Sequence, residues 1–265
     1  LSKISLAEAQ RRYVSEEFIG PTEEKIALLH SAERELLDAL DGLTEPVRLI
    51  DAKLELGCLY RDLLRFIESE QAREEFFRKS EGLLTESAKL ASLQNPPIYW
   101  RIADAMANRI WLGLLAQNED FTRHATLEFV QLDIFGFDIN QKGKFTEGVR
   151  ILSSSQKRPL LQFIGKYHVG MGTLLLGKAK KPEQEKMDAI AWHWVLGLEY
   201  SAKFSKSYRG LESARKTIDK KIRTFNPDEL LWLSRSIERA EEQENIKKSF
   251  LKNMMQENSL WVNDD

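Results

Sequence analysis

Pro46-Val47-Arg48-Leu49-Ile50-Asp51-Ala52-Lys53-Leu54-Glu55-Leu56-Gly57-Cys58-Leu59-Tyr60-Arg61-Asp62-Leu63-Leu64 is the stretch on which the fold turns. Leu49, Ile50, Leu54, Leu56, Leu59, Tyr60 and Leu64 recur largely at spacings of three and four, which gathers apolar side chains onto one side of an α-helix. The opening proline suits a first helical turn, where its missing N–H costs nothing, and it resists continuation of whatever precedes it. The spacing predicts a helix from Pro46 to about Ser69.

The same marks recur along the chain. Prolines stand at 21, 46, 96, 97, 159, 182 and 227, and nearly every one precedes a stretch of helical period. Asn226-Pro227-Asp228-Glu229 is the clearest start: a capping residue, a proline, then two acids at the positive end of the helix dipole. Thr44-Glu45-Pro46 and Asn95-Pro96-Pro97 read alike. Helical segments are expected at about 72–93, 97–117, 120–135, 159–178, 183–205, 207–224 and 227–253, with one or two before Pro46, about ten helices in all. No sustained two-residue alternation and no Asn-Gly or Asp-Gly hairpin argues for strands. The long irregular stretch is Gly136 to Arg158, with Gly143, Gly148 and Ser153-Ser154-Ser155. The expected organisation is helical repeats over 1–135, an irregular loop or insertion at 136–158, and further helical repeats over 159–265.

Composition bounds the function. With 39 basic and 41 acidic side chains the net charge is −2, so no global field draws nucleic acid or an anionic membrane. The single cysteine, Cys58, rules out an internal disulfide framework and fits a reducing, cytoplasmic setting. No apolar run reaches the roughly 18–20 residues that span a bilayer. The start, Leu1-Ser2-Lys3, lacks a signal peptide's apolar core and an initiator Met, and a chain processed or cut from a larger protein is expected.

Leu56-Gly57-Cys58-Leu59-Tyr60 resembles the Leu-Gly-x-x-Tyr signature of the first helix of a tetratricopeptide repeat. Leu56 and Tyr60 fall four apart on one face, and Gly57 lets a paired helix come close. Phe76, Phe77, Ala88 and Ala91 supply the partner helix. Pro46 to Pro97 spans about fifty residues against the usual 34 of this family, as in the long degenerate repeats of sensor arms in signalling ATPases and transcription regulators. The resemblance implies antiparallel helical hairpins stacked as a right-handed solenoid, without catalysis or cofactor, binding a protein or peptide along a concave groove. First-helix positions line that groove in the family, which nominates Tyr60, Arg61, Arg65, Trp100 and Arg101 as partner-binding residues.

Five other features could carry chemistry. Gly172-Thr173-Leu174-Leu175-Leu176-Gly177-Lys178-Ala179 approaches a phosphate-binding loop, but Ala179 fills the position that should hold magnesium. Its three leucines suit a packed helix, and Gly165, Gly170 and Gly172 read as helix-crossing positions. Trp192-His193-Trp194 could suggest a ligand cage, yet residues two apart diverge on a helix. The histidines at 30, 124, 168 and 193 show no metal-ligand spacing, so packing is the expectation and no metal site is assigned. Cys58 reads as a buried thiol, and Glu23-Glu24, Glu74-Glu75 and Glu241-Glu242 as solvent-facing pairs. Finally, Lys203, Lys206, Arg209, Arg215, Lys216, Lys220, Lys221 and Arg223 stand against only Glu212 and Asp219, with Phe204 and Tyr208 interleaved. Arg209, Arg215, Lys216, Lys220 and Lys221 form the candidate patch for an anionic partner, nucleic acid or an acidic protein. The alternative is a solvated face balanced by the acidic segment 238–244. The tail Leu260-Trp261-Val262 is expected to dock on its own domain.

Overall fold

The computed structural model describes residues 2–177, 184–205 and 209–262, and among them every regular element is an α-helix. Contacts divide the chain into two compact units, residues 1–129 and 130–265.

The first unit holds α1 (Lys3–Glu16), α2 (Thr22–Leu40), α3 (Pro46–Leu63), α4 (Glu70–Ser92), α5 (Tyr99–Ala116) and α6 (Glu119–Val130). They form three antiparallel hairpins. α1 packs on α2 and α3, and α3 packs on both α4 and α5, so first helices of successive hairpins touch each other. Pro46 occupies the first turn of α3 as its sequence requires. α5 starts at Tyr99, two residues beyond Pro97, with Ile98 as its cap. Gly57 does what its place in the repeat-like motif implies: a Cβ there would sit 2.9 Å from Leu84 Cγ on α4. Ser80 Oγ donates to the Gly57 carbonyl at 2.7 Å across the same contact. Leu29, Leu36, Leu56, Leu59 and Leu63 make one core, and Leu54, Leu64, Leu84 and Leu112 another.

The second unit holds α7 (Phe145–Leu152), α8 (Leu160–Leu176), α9 (Gln184–Phe204), α10 (Arg209–Ile222), α11 (Pro227–Gln243) and α12 (Phe250–Glu257). Its hub is α9, buried continuously from Ile190 to Ala202 and packed on α7, α8, α10, α11 and α12. Only a helix walled in on all sides can be apolar around its whole circumference. Twelve helices are seen among the described residues where about ten were expected. One addition is α7, inside the stretch taken as irregular. The other arises because the segment 227–253 is two helices, broken where Asn245 adopts a left-handed φ of 54°. Asn226 and Glu229 form the reciprocal capping box at the start of α11.

Three buried carboxylates explain how helices of eight residues persist. Glu244 accepts from Gly143 N at 2.7 Å and Phe145 N at 3.1 Å, at the start of α7. Glu199 accepts from Phe250 N at 2.8 Å and Glu241 from Ser249 N at 2.6 Å, at the start of α12. Amides of a first turn have no intrahelical acceptor, and a negative charge there also suits the dipole. Glu241 is therefore buried, contrary to its expected solvent-facing role, while Glu242 remains exposed. The tail docks as expected: Val262 N donates to Ser234 Oγ at 3.3 Å, and Lys252 Nζ lies 4.5 Å from the Trp261 ring centre.

α8 and α9 cross closely at glycines. A Cβ on Gly165 would lie 2.3 Å from Ser201 Oγ, 2.8 Å from the Gly197 carbonyl oxygen and 3.0 Å from Ser201 N. Two of these are backbone atoms, so the helices themselves must part. Gly165→Ala is expected to destabilise the chain by about 1–3 kcal/mol. Gly82→Ala, on an exposed face of α4 with nothing within 4 Å of a new Cβ, should stabilise by up to about 1 kcal/mol through helix propensity. Urea titrations of the two variants check the pair, and equal behaviour would remove the close-crossing explanation.

Candidate functional site

Three helices of the first unit present a stripe of charge where they meet. Glu8, Arg11 and Ser15 follow at three and four on α1; Asp51, Glu55 and Asp62 lie at steps of four and seven on α3, with Arg65 in the turn just past its end; Arg101, Asp104 and Asn108 follow at three and four on α5. Such spacing puts each set on a single face. Packing of α3 on both α1 and α5 joins the three sets into a network.

Arg11 donates from Nε and Nη2 to Glu55 Oε2 at 3.1 and 2.8 Å, and from Nη1 to Asp62 Oδ2 at 2.8 Å. The other oxygen of Asp62 receives Arg61 Nε and Nη2 at 2.9 and 2.6 Å. Arg61 Nη1 reaches Asn108 Oδ1, whose amide donates to Asp104 Oδ1 at 2.8 Å. At the far end Arg101 Nη2 meets Asp51 Oδ1 at 2.6 Å, and its guanidinium lies 3.8 Å from the Trp100 ring centre. Burial opposes the charge on Asp62, but Arg61, Arg65 and Arg11 outweigh it and hold the carboxyl well below its usual range. Glu8 and Asp51 go the other way: burial raises both, and Glu55 adds to each.

Beside this network lies a cavity of about 540 Å³, with Lys3, Glu8, Arg48, Asp51, Glu55 and Arg101 in its walls. That volume is in the range of small-ligand and side-chain pockets. Among the described residues no group of three or more His, Cys, Asp or Glu could hold a metal.

The structure disperses the residues nominated for a groove. Arg61 and Arg101 belong to the charged network, Arg65 stands exposed 3.9 Å from Asp62, and Trp100 is half-buried under Arg101. Tyr60 is a core residue instead: it is buried, donates to Glu33 Oε1 at 2.7 Å and stacks on Phe76 at 5.6 Å. Its position one residue before Arg61 turns it toward α2 and α4. Arg11, Glu55, Asp62 and Asn108 were not singled out from sequence. For Glu55 and Asp62 a signal was there, as two acids seven apart on one face of α3.

The other candidates resolve as follows. Thr173 to Leu176 are helical, and a Cβ on Gly172 would lie 2.5 Å from the Trp194 ring, so these residues form no phosphate-cradling loop. Lys178 and Ala179 lie outside the described residues. Cys58 is buried. Trp192 and Trp194 are both buried and diverge, Trp192 donating to Glu244 Oε1 at 2.7 Å and Trp194 packing at Gly172. Between them His193 shares a 2.8 Å Nδ1–Nδ1 contact with His168, a buried pair ringed by Tyr167, Trp192 and Tyr200. In the basic patch, Lys216 and Lys220 stand exposed one turn apart, and Lys221 is half-buried. Arg215 pairs with Glu257 at 2.9 Å and Arg223 with Asp219 at 2.7 Å. Among the described residues the acids 238–244 face elsewhere, with Glu238 and Glu241 taking Lys252. Lys206 and the side chain of Arg209 lie outside the described residues.

Compared with protein-family models, curated proteins and solved structures, the chain matches none. No helix among the described residues is long and apolar enough to cross a membrane.

Proposed function

We propose that this chain is a non-catalytic helical-repeat scaffold of the tetratricopeptide-like kind, and that its first unit holds a protein or peptide partner against the face shared by α1, α3 and α5. The supporting observation is the unbroken line of charged side chains across the first helices of three successive hairpins, with a cavity let into it. A buried network of this kind is a poor source of stability compared with apolar packing, but it gives a surface fixed positions for charge. Fixed charge steers association and selects partners.

Capture from native lysate with the purified chain, at low and high salt and after nuclease treatment, tests the proposal. A protein is expected to be retained after nuclease and lost in Arg65→Glu, which reverses an exposed charge on this face. A second reading rests on Lys216 and Lys220, exposed on one face of α10. Nucleic acid recovered at low salt, released at high salt and lost in Lys216→Glu with Lys220→Glu would overturn the scaffold reading.

A further inference from the structure

We propose that the chain pairs with a second copy of itself through the outward side of α1, the two helices lying antiparallel about a twofold axis at Ala9 and Gln10. This goes beyond the scaffold reading and does not rest on it. The inward side of α1, with Ala7, Arg11 and Val14 buried, packs on α2 and α3. Its outward side carries Leu6, Ala9 and Tyr13, all exposed and spaced at three and four, which makes a single ridge along a helix. The Phe18 ring lies 5.7 Å from that of Tyr13, and Ile19 just beyond is fully exposed. Exposed apolar residues scattered singly are ordinary, whereas a row of them on one ridge marks a contact surface.

The charges of the same helix say what covers the ridge. Lys3 and Glu17 stand seven residues either side of Gln10, and both are exposed. Each is at the end of α1 that its own helix dipole disfavours: the first turn has no acid, the last turn has no base, and Glu17 is the C-cap. An antiparallel copy reverses the ends, so Lys3 meets the negative end of the second helix and the Glu17 it carries. Glu8 and Arg12, joined to each other at 2.6 Å, share the same midpoint, so the rotation keeps unlike charges side by side there too.

The apolar ridge obeys nearly the same symmetry. Leu6 of one copy falls on Tyr13 of the other, and the small side chain of Ala9 lets the helices close at the crossing. A parallel copy would set Lys3 on Lys3 and Glu17 on Glu17, and like charges in register repel. Lys3 already reaches Asp38 at 3.4 Å, but both side chains are more than half exposed. Such a pair holds an ammonium weakly and leaves it N–H donors for a second carboxylate. A uniformly acidic or basic partner would answer one end of the ridge and offend the other.

Sedimentation equilibrium of the whole chain in low salt should show a monomer–dimer equilibrium in the micromolar range, since one helix on one helix is a small interface. Lys3→Glu and Glu17→Lys should each weaken the dimer about tenfold, because two opposite-charge contacts per dimer become like-charge ones. Mixing the two variants should restore association to nearly the unaltered level, each supplying the charge the other lacks. Both exchanges made in one chain should do the same. Either substitution suits the dipole of α1 itself, so a weakened dimer cannot be put down to a frayed helix, and thermal unfolding by circular dichroism should not fall. Tyr13→Ser should abolish the dimer. A chain that stays monomeric across this range would overturn the proposal. A dimer indifferent to both charge reversals would also overturn it, by placing the contact elsewhere. Single variants weakened without rescue on mixing would overturn the antiparallel arrangement.

Discussion

Asp62→Ala is expected to destabilise the first unit by about 3–5 kcal/mol, because it removes the acceptor shared by two buried guanidiniums. Arg11 and Arg61 are each less than a tenth exposed, and Asp62 is fully enclosed between them. In the intact chain its two oxygens divide the work: one meets Arg11 and Ser15, the other Arg61. Deleting the carboxylate leaves one cation with only Glu55 and the other with only Asn108. The exposed pair of Arg78 and Glu74, one turn apart on α4, makes the contrast, since separating charges already in water changes little. Hydrogen exchange of α1 and α3 amides under increasing urea checks the variant in the unit concerned. A loss below about 1 kcal/mol would show that the freed guanidiniums reach solvent, and that Asp62 is not what keeps them buried.

The second unit should be sensitive to mild acid. An imidazole in an unfolded chain takes up its proton near pH 6.5. Burial, and next Lys142, hold His193 down to about 3. Burial, and next His193, hold His168 well below its ordinary value, against a main-chain hydrogen bond at Ile139. Their folded-state proton affinities are lowered, so the unfolded chain binds more protons as pH falls below 6.5. The stability these histidines confer is complete above that pH and is lost on the way down. Between pH 6.5 and 5 His193 accounts for a loss of about 2 kcal/mol, and His168 adds to it in the same direction. Glu199, raised chiefly by burial, binds its proton more readily in the fold and opposes the loss only as carboxylates begin to titrate. Urea titrations at pH 7 and 5 should show the difference, and His193→Gln should remove about half of it. A second unit whose transition does not move over this range would mean that the pair takes its proton in place, without unfolding.

Sequence disclosed most helix starts because their signals are local. Pro46 and the Asn226–Glu229 box need nothing beyond their own turn, and both sit as their residues predict. The end of α11 was missed: Asn245 tolerates a left-handed φ and Ser249 caps the next helix, but the charged stretch from Glu238 to Ser249 holds no Pro or Gly to mark the break. α7 could not be read so. Two glycines in a short stretch argue for a loop, and what makes it helical from Phe145 is a carboxylate far along the chain. The charged face was half visible. Arg61, Arg65 and Arg101 follow from first-helix positions, but periodicity could not tell that Tyr60 points into the hairpin. Nor could it show that Arg11 on α1 would find Glu55 and Asp62 on α3, a meeting decided by how the hairpins stack.

The clasp at Glu244 has a bearing on time as well as on structure. The hydrogen bond between Gly143 and Glu244 joins positions 101 residues apart, and the chain leaves the ribosome from its N-terminal end. At roughly 5–20 residues per second, the first turn of α7 waits on the order of 5–20 seconds for its acceptor to be made. Until then the segment around Gly143 has its backbone amides turned to water or to whatever else offers an oxygen. Its own sequence does not set when it closes; the synthesis of α11 does.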